Sequence, residues 1–189
     1  MAYDQGAIDL SLNKARLGPY VPVADPGWVE KVVTLTAQTI AKKKILIGVP
    51  TYGYEYEVTP LSEQGYRFDL QWALNPKYGL DLAEELGITP IRNSAGELSF
   101  IYKATSTAPL VPNGGIENTV NNNDMLSATI FTQATMASQI KPPFNVVWWS
   151  DAQAIKDKME LAKRLGVRGI SIFKLDGGED PALWDILKK

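Results

Sequence analysis

A chain of 189 residues with 45% hydrophobic content can bury a sizeable core, as one large domain or a small pair. Its 19 basic and 21 acidic residues are interspersed and leave a formal net charge of −2, which excludes the electrostatic footprint of a nucleic-acid or anionic-membrane binder. No stretch reaches the roughly 18–20 apolar residues of a membrane span, no leader-like pattern opens the chain, and the lack of cysteine and histidine excludes disulfides, thiolate chemistry and the commonest general base and zinc ligand.

Acid–base chemistry is therefore left to carboxylates and tyrosines, and neither a cofactor nor a metal is expected. In chain order, MAYDQ (residues 1–5) places an apolar stub before a tyrosine, a carboxylate and an amide. This reads as the last turn of a buried strand running into a polar site, with an ordinary polar turn as the plain alternative. Asp25 and Pro26 then supply an N-cap and a first-turn proline for a helix whose Val29, Val32, Val33, Thr36 and Ile40 share a stripe. Lys42 to Lys44 read as a solvated helix end. KKKILIGVP, ending at Pro50, is a continuous apolar run of the kind buried on both faces of a parallel sheet.

Between Thr51 and Asn145 the pattern changes. YEYEV and ELSFIYKA predict strands, and NPKYGLDLAEELG predicts a helix stopped by Gly87. SAG at Ser94 to Gly96 predicts a hairpin, VPNGGIENTVNNND an exposed loop, and MLSATIFTQATMASQI a further helix. NVVWWSD returns as a strand. Ser150 or Asp151 then caps a helix with Ile155, Met159, Ala162 and Leu165 on one face and Gly166 at its end. VRGISIFKLD is a second doubly buried strand, and EDPALWDILKK repeats an acidic cap and a proline before a short helix. The implied fold is α/β, a partial (β/α)8 barrel of three strands and helices over residues 1–54 and 146–189, with an α+β insertion over 55–145. Three such strands cannot close, so two sheet edges stay open.

The order MAYDQ, IGVPTYGYEYEV, VVWWSDAQAI and LAKRLGVRGISIFKLDGGEDP resembles the carboxyl-terminal portion of the family 18 glycoside hydrolases, the chitinase-like barrels, and in particular their bacterial branch acting on cell-wall or spore-cortex glycan. The resemblance covers nearly the whole chain outside residues 104–144. It implies that MAYDQ ends the sixth barrel strand, that PTYGYEYE follows the seventh, that SIFKLD is the eighth, and that the first five strands are absent from this chain. It also implies a substrate-assisted reaction, in which an acid protonates the glycosidic oxygen while the sugar's own N-acetyl oxygen attacks the anomeric carbon. The family's acid ends an Asp-x-x-Asp-x-Asp-x-Glu motif, which this sequence lacks.

By the same resemblance, Tyr3 holds the acetamide and Asp4 is the neighbouring carboxylate, the two catalytic assignments in this chain. Met1 lines the pocket, Gln5 is a further sugar contact, and Tyr52 is a pocket tyrosine. Tyr54 stands where many chitinases have arginine, as in the cell-wall branch. Phe173 replaces the tryptophan that stacks under the reacting sugar, keeping an apolar face while losing the indole donor. Judged without the family, Tyr52 and Phe173 read equally as core. Trp148 and Trp149 read as structural, although alternation leaves one of them free to reach a cleft, and Trp148 is carried as a sugar contact on that ground. DGGEDP reads as capping rather than a phosphate cradle, because Glu179 and Asp180 would repel an anion.

The expected partners are an N-acetylglucosamine-containing glycan and the absent amino-terminal half of the barrel, with an extracellular or cell-envelope location. The parent is expected to cleave β-1,4-linked glycan, peptidoglycan ahead of chitin, with this chain inactive alone. The alternatives are a catalytically silent glycan-binding barrel and a structural interaction module.

Overall fold

The structure, a computed structural model, describes residues 1–8, 19–61, 65–103 and 143–188. The loop expected at 111–124 and the helix expected at 125–140 lie outside them. Among the described residues the chain is a mixed α/β fold with a two-stranded parallel sheet and a five-stranded antiparallel sheet, and no barrel forms.

The parallel pair is β1 (Leu46–Pro50) with β7 (Gly169–Phe173), Leu46 opposite Gly169 and Pro50 opposite Phe173. Two helices cover it. In α2 (Pro26–Thr36), Asp25 accepts from the Trp28 amide and Val29 and Val33 are buried; Ile40 lies beyond its end and is exposed. In α4 (Ala152–Leu165), Asp151 accepts from the Ala154 amide, and Gly166 ends the helix at φ 68°, a left-handed conformation that costs glycine nothing. The lysines 42–44 form a short, exposed 3₁₀ turn that enters β1 directly, rather than the end of α2.

MAYDQ is not the third parallel strand. Met1 to Asp4 carry no strand pairing and α1 (Gln5–Ile8) begins at once. The cause is where the backbone bonds go: the Gln5 and Gly6 amides donate to the carbonyls of Val23 (3.0 Å) and Pro22 (2.8 Å), not to β1. Ala2 and Tyr3 are nevertheless buried against β1, so closely that a Cβ on Gly48 would lie 3.0 Å from Met1 Cα and 3.1 Å from Tyr3 Cε1.

The antiparallel sheet has the order β3–β2–β6–β5–β4, with β2 (Gly53–Leu61), β3 (Gly65–Leu74), β4 (Ile91–Arg92), β5 (Leu98–Lys103) and β6 (Phe144–Trp149). The hairpin expected at 94–96 joins β4 to β5. Helix α3 (Pro76–Glu85), capped by Asn75, covers one face and makes a small core with Leu74, Phe100, Val147 and Trp149. The other face, with Tyr56, Val58, Val146 and Trp148, joins the main core with α2, β1 and α4. A short α5 (Leu183–Leu187) closes the chain; Asp180 ahead of it accepts from the amides of both Ala182 (2.9 Å) and Ala152 (3.0 Å). No helix among the described residues is long and apolar enough to cross a membrane.

Candidate functional site

The ends of β1, β2 and β7 meet the first residues of the chain around a hollow of about 630 Å³. Met1, Tyr3, Asp4, Tyr52, Tyr54 and Phe173 line it together with Ala73, Leu74, Asn75, Lys174 and Asp176. A concavity of this volume is the size of a small-molecule site.

Its floor is aromatic. The rings of Tyr3 and Phe173 stack 5.8 Å apart at 13°, and Tyr52 meets both edge-on at 6.0 and 6.2 Å. Tyr3 and Tyr52 are buried while Phe173 is 50% exposed, so one ring of the stack still presents a face to solvent. That position follows from β7: Phe173 is its last residue, paired with Pro50, and the Thr51 amide extends the ladder by donating to the Phe173 carbonyl at 2.9 Å.

The polar centre is Asp4, held at φ 65°, a conformation aspartate tolerates better than most residues. Its Oδ1 accepts from the Tyr52 hydroxyl and, at 2.7 Å, from the Tyr54 hydroxyl; Oδ2 accepts from nothing among the described residues. Burial first, and then the bond to Asp4, pushes the phenols of Tyr52 and Tyr54 well above their ordinary range. The Tyr3 phenol is raised by burial and by the charge of Asp4. All three hydroxyls thus remain protonated donors near neutral pH. The Tyr52 and Tyr54 hydroxyls already donate to Asp4, so the hollow offers an apolar ring surface, the Tyr3 hydroxyl and one open carboxylate oxygen, a set suited to a ring bearing hydroxyl and amide groups.

Two expected contacts lie elsewhere. Gln5 is buried, and its Oε1 accepts from the Asp25 amide at 3.0 Å, so the side chain braces the start of α2 instead of facing the hollow. Trp148 is also buried, its Nε1 donating to Glu97 Oε2 at 2.7 Å. Alternation does send Trp148 and Trp149 to opposite faces of β6, but both faces are covered, by the main core and by α3, and neither indole reaches the hollow.

The residues that sequence reasoning overlooked form the rim. Ala73 and Leu74 end β3 and Asn75 caps α3, so the antiparallel sheet supplies one wall. Lys174 and Asp176 lie just past β7, and their side chains pair at 2.8 Å. The turn they open is filled by Glu179, whose Oε1 accepts from the Asp176 amide and, at 2.9 Å, from the Gly177 amide. A carboxylate already occupies the place a phosphate would need.

No protein-family model matches the chain. It is 21% identical over 167 residues to an uncharacterized glycosylase, YvbX, of Bacillus subtilis, covering 88% of this chain and 36% of that protein. Among solved structures it matches the spore cortex-lytic enzyme SleL of Bacillus cereus, with a TM-score of 0.62 and 20% identity over 100% of this chain and 33% of that one. It likewise matches a chitinase from Chromobacterium violaceum, with a TM-score of 0.60, 23% identity, and coverage of 100% and 43%. The resemblance to chitinase-like and spore cortex-lytic glycosylases is thus present in sequence and in fold, and what the solved structures share with this chain is the fold. The chain spans about a third of the length of the first of these relatives.

Proposed function

We propose that this chain forms the substrate-holding wall of a glycoside hydrolase that cleaves β-1,4-linked N-acetylglucosamine glycans with retention, by the substrate-assisted route. The observation that carries this reading is Asp4, with one oxygen clamped by two tyrosine hydroxyls and the other open, beside an exposed aromatic face. In that reading Phe173 lies under the sugar ring, and the Tyr3 hydroxyl and Asp4 address the acetamide as the N-acetyl oxygen turns toward the anomeric carbon.

The parallel pair β1–β7 fits two neighbouring strands of a larger (β/α)8 barrel, with Met1 to Tyr3 lying beside β1 without strand pairing. The proton donor comes from the part of the relatives' length that this sequence does not span. Turnover therefore belongs to the full-length protein.

The test is incubation of the full-length protein with tetra-N-acetylchitotetraose and with purified peptidoglycan, following the anomer first released by NMR. Retained β-anomer supports the proposal. Inversion, or failure to bind either glycan, removes it. The other reading that the sequence leaves, a glycan-binding protein without turnover, uses the same wall and differs only in the part of the relatives' length that this sequence does not span. Saturable binding with no released sugar in the same experiment would decide for it.

A further inference from the structure

The rim of the hollow carries a charge pattern that the sugar-holding reading does not use. Among the described residues, three of the side chains lining it are charged: Asp4, Lys174 and Asp176. Lys174 is the one cation among these described side chains, and its ammonium pairs with Asp176 Oδ2 at 2.8 Å.

Both rim residues are fixed through their backbones. The Lys174 carbonyl accepts from the Thr51 hydroxyl, and the Asp176 amide donates to Glu179. The pair therefore stands on a turn whose backbone is held, with the Lys174 and Asp176 side chains themselves 54% and 33% exposed, so its effect is a modest one that salt screens. With Lys174 neutralised, the net side-chain charge of the hollow is that of Asp4, and the tyrosine hydroxyls around it are neutral.

Resting on the reading above, we propose that the Lys174–Asp176 pair makes this hollow select an uncharged hexosamine unit over one that carries a carboxylate, with Asp176 as the residue that sets the preference. A carboxylated sugar would meet the charge of Asp4 and find Lys174, the cation among the described lining residues, already paired. An uncharged unit loses nothing to either effect. Specificity here comes from a repulsive element as much as from an attractive one.

The experiment uses the full-length protein and three probes: tetra-N-acetylchitotetraose, the same tetramer with every C6 oxidised to a carboxylate, and the C6 carboxamide of that derivative. The last two differ only in charge, and every unit is modified, so no register escapes the comparison. The wild type is expected to bind the carboxamide about fivefold more tightly than the carboxylate at low salt, with the ratio shrinking as salt screens it. In Asp176→Asn the freed ammonium should bring that ratio close to unity; in Lys174→Gln, which removes the cation, it should widen.

If the carboxamide binds no better than the carboxylate in the wild type, or if Asp176→Asn leaves the ratio where it was, the proposal is overturned. Failure of the unmodified tetramer to bind would instead remove the glycan reading beneath it, and this proposal with it. Binding of the tetramer with no charge preference overturns this proposal alone.

Discussion

Asp4 organises the hollow through an asymmetry between its two oxygens, and the tyrosines that create it are not equivalent. Tyr52 is buried whereas Tyr54 is partly exposed, so water can replace the hydroxyl of Tyr54 more readily. Tyr54→Phe should then cost about 1 kcal/mol of folding stability, and Tyr52→Phe about 2 kcal/mol, since a buried bond to a charged acceptor lies at the upper end of such values. Urea denaturation of the two variants checks the order, and a larger loss in Tyr54→Phe would contradict it. Both should also weaken binding of an N-acetylglucosamine tetramer, because Asp4 Oδ2 would no longer be aimed. At this scale the sequence was partly legible. Tyr3, Asp4, Tyr52, Tyr54, Phe173 and Met1 converge because each stands at or next to the end of a segment readable as a strand end. Trp148 was misplaced because local alternation cannot say what covers each face, and Gln5, assigned by the resemblance, is spent on the Asp25 amide instead. Lys174 and Asp176 stand immediately after the last residue of a recognised strand, and the loop at that end of a barrel strand is where site residues gather, a signal that could have found them.

At the scale of elements, caps were read correctly: Asp25, Asp151 and Gly166 bound helices where expected. What was missed is β3. Tyr66, Phe68, Leu70 and Trp72 alternate with Arg67, Asp69 and Gln71, which is a strand signal, yet a single alternating face would not describe their fate. The register with β2 shifts between Glu55 and Tyr56, so that Tyr56 faces Leu70 and Glu55 faces Trp72. The bulge sends Tyr66 and Phe68 toward the main core and Trp72 and Leu74 toward α3, and it leaves Ala73 opposite Tyr54 at the hollow. The sheet is fastened to the rest of the fold by Glu97, just before β5. Its carboxylate accepts from the amides of Val23 (2.8 Å) and Ala24 (3.0 Å) and from Trp148 Nε1 (2.7 Å), and it faces Lys158 Nζ at 3.6 Å, with both charged side chains fully buried. Among the described residues, Lys158 otherwise meets the Ala154 carbonyl alone, at 3.4 Å. Removing either partner is therefore not symmetrical. Glu97→Leu strands a buried ammonium and three N–H donors and should cost about 3–5 kcal/mol, whereas Lys158→Met leaves the carboxylate its three donors and should cost about 1–2 kcal/mol. Equal losses in chemical denaturation would mean that the ion pair, rather than the N–H bonds, holds the sheet in place.

Over the whole molecule the aromatic content that builds the hollow also sets how the fold responds to pH. Each of the eight tyrosines has its phenol raised above the ordinary 10.0, with burial the first cause in every case. Tyr54 and Tyr56 stand 5.9 Å apart, centroid to centroid, and Tyr56 meets Phe68 at the same separation, so the aromatic run continues from the hollow into the core. The unfolded chain gives up phenolic protons near pH 10, while the folded chain retains them. This contribution to stability is accordingly complete below pH 10 and is lost as pH climbs past it, at about 1.4 kcal/mol per pH unit for each phenol kept protonated by the fold. With no histidine and no cysteine, no side chain of ordinary value titrates between about pH 5 and 9. Thermal midpoints should thus form a plateau across that interval and fall steeply above pH 10. Phenolate absorbance should rise in the same narrow step in which near-ultraviolet circular dichroism collapses, because most of these hydroxyls ionise only when the packing around them opens. A gradual titration centred on pH 10 with the dichroism unchanged would show that the rings are open to water in solution, and the stacked floor of the hollow would then have no physical basis.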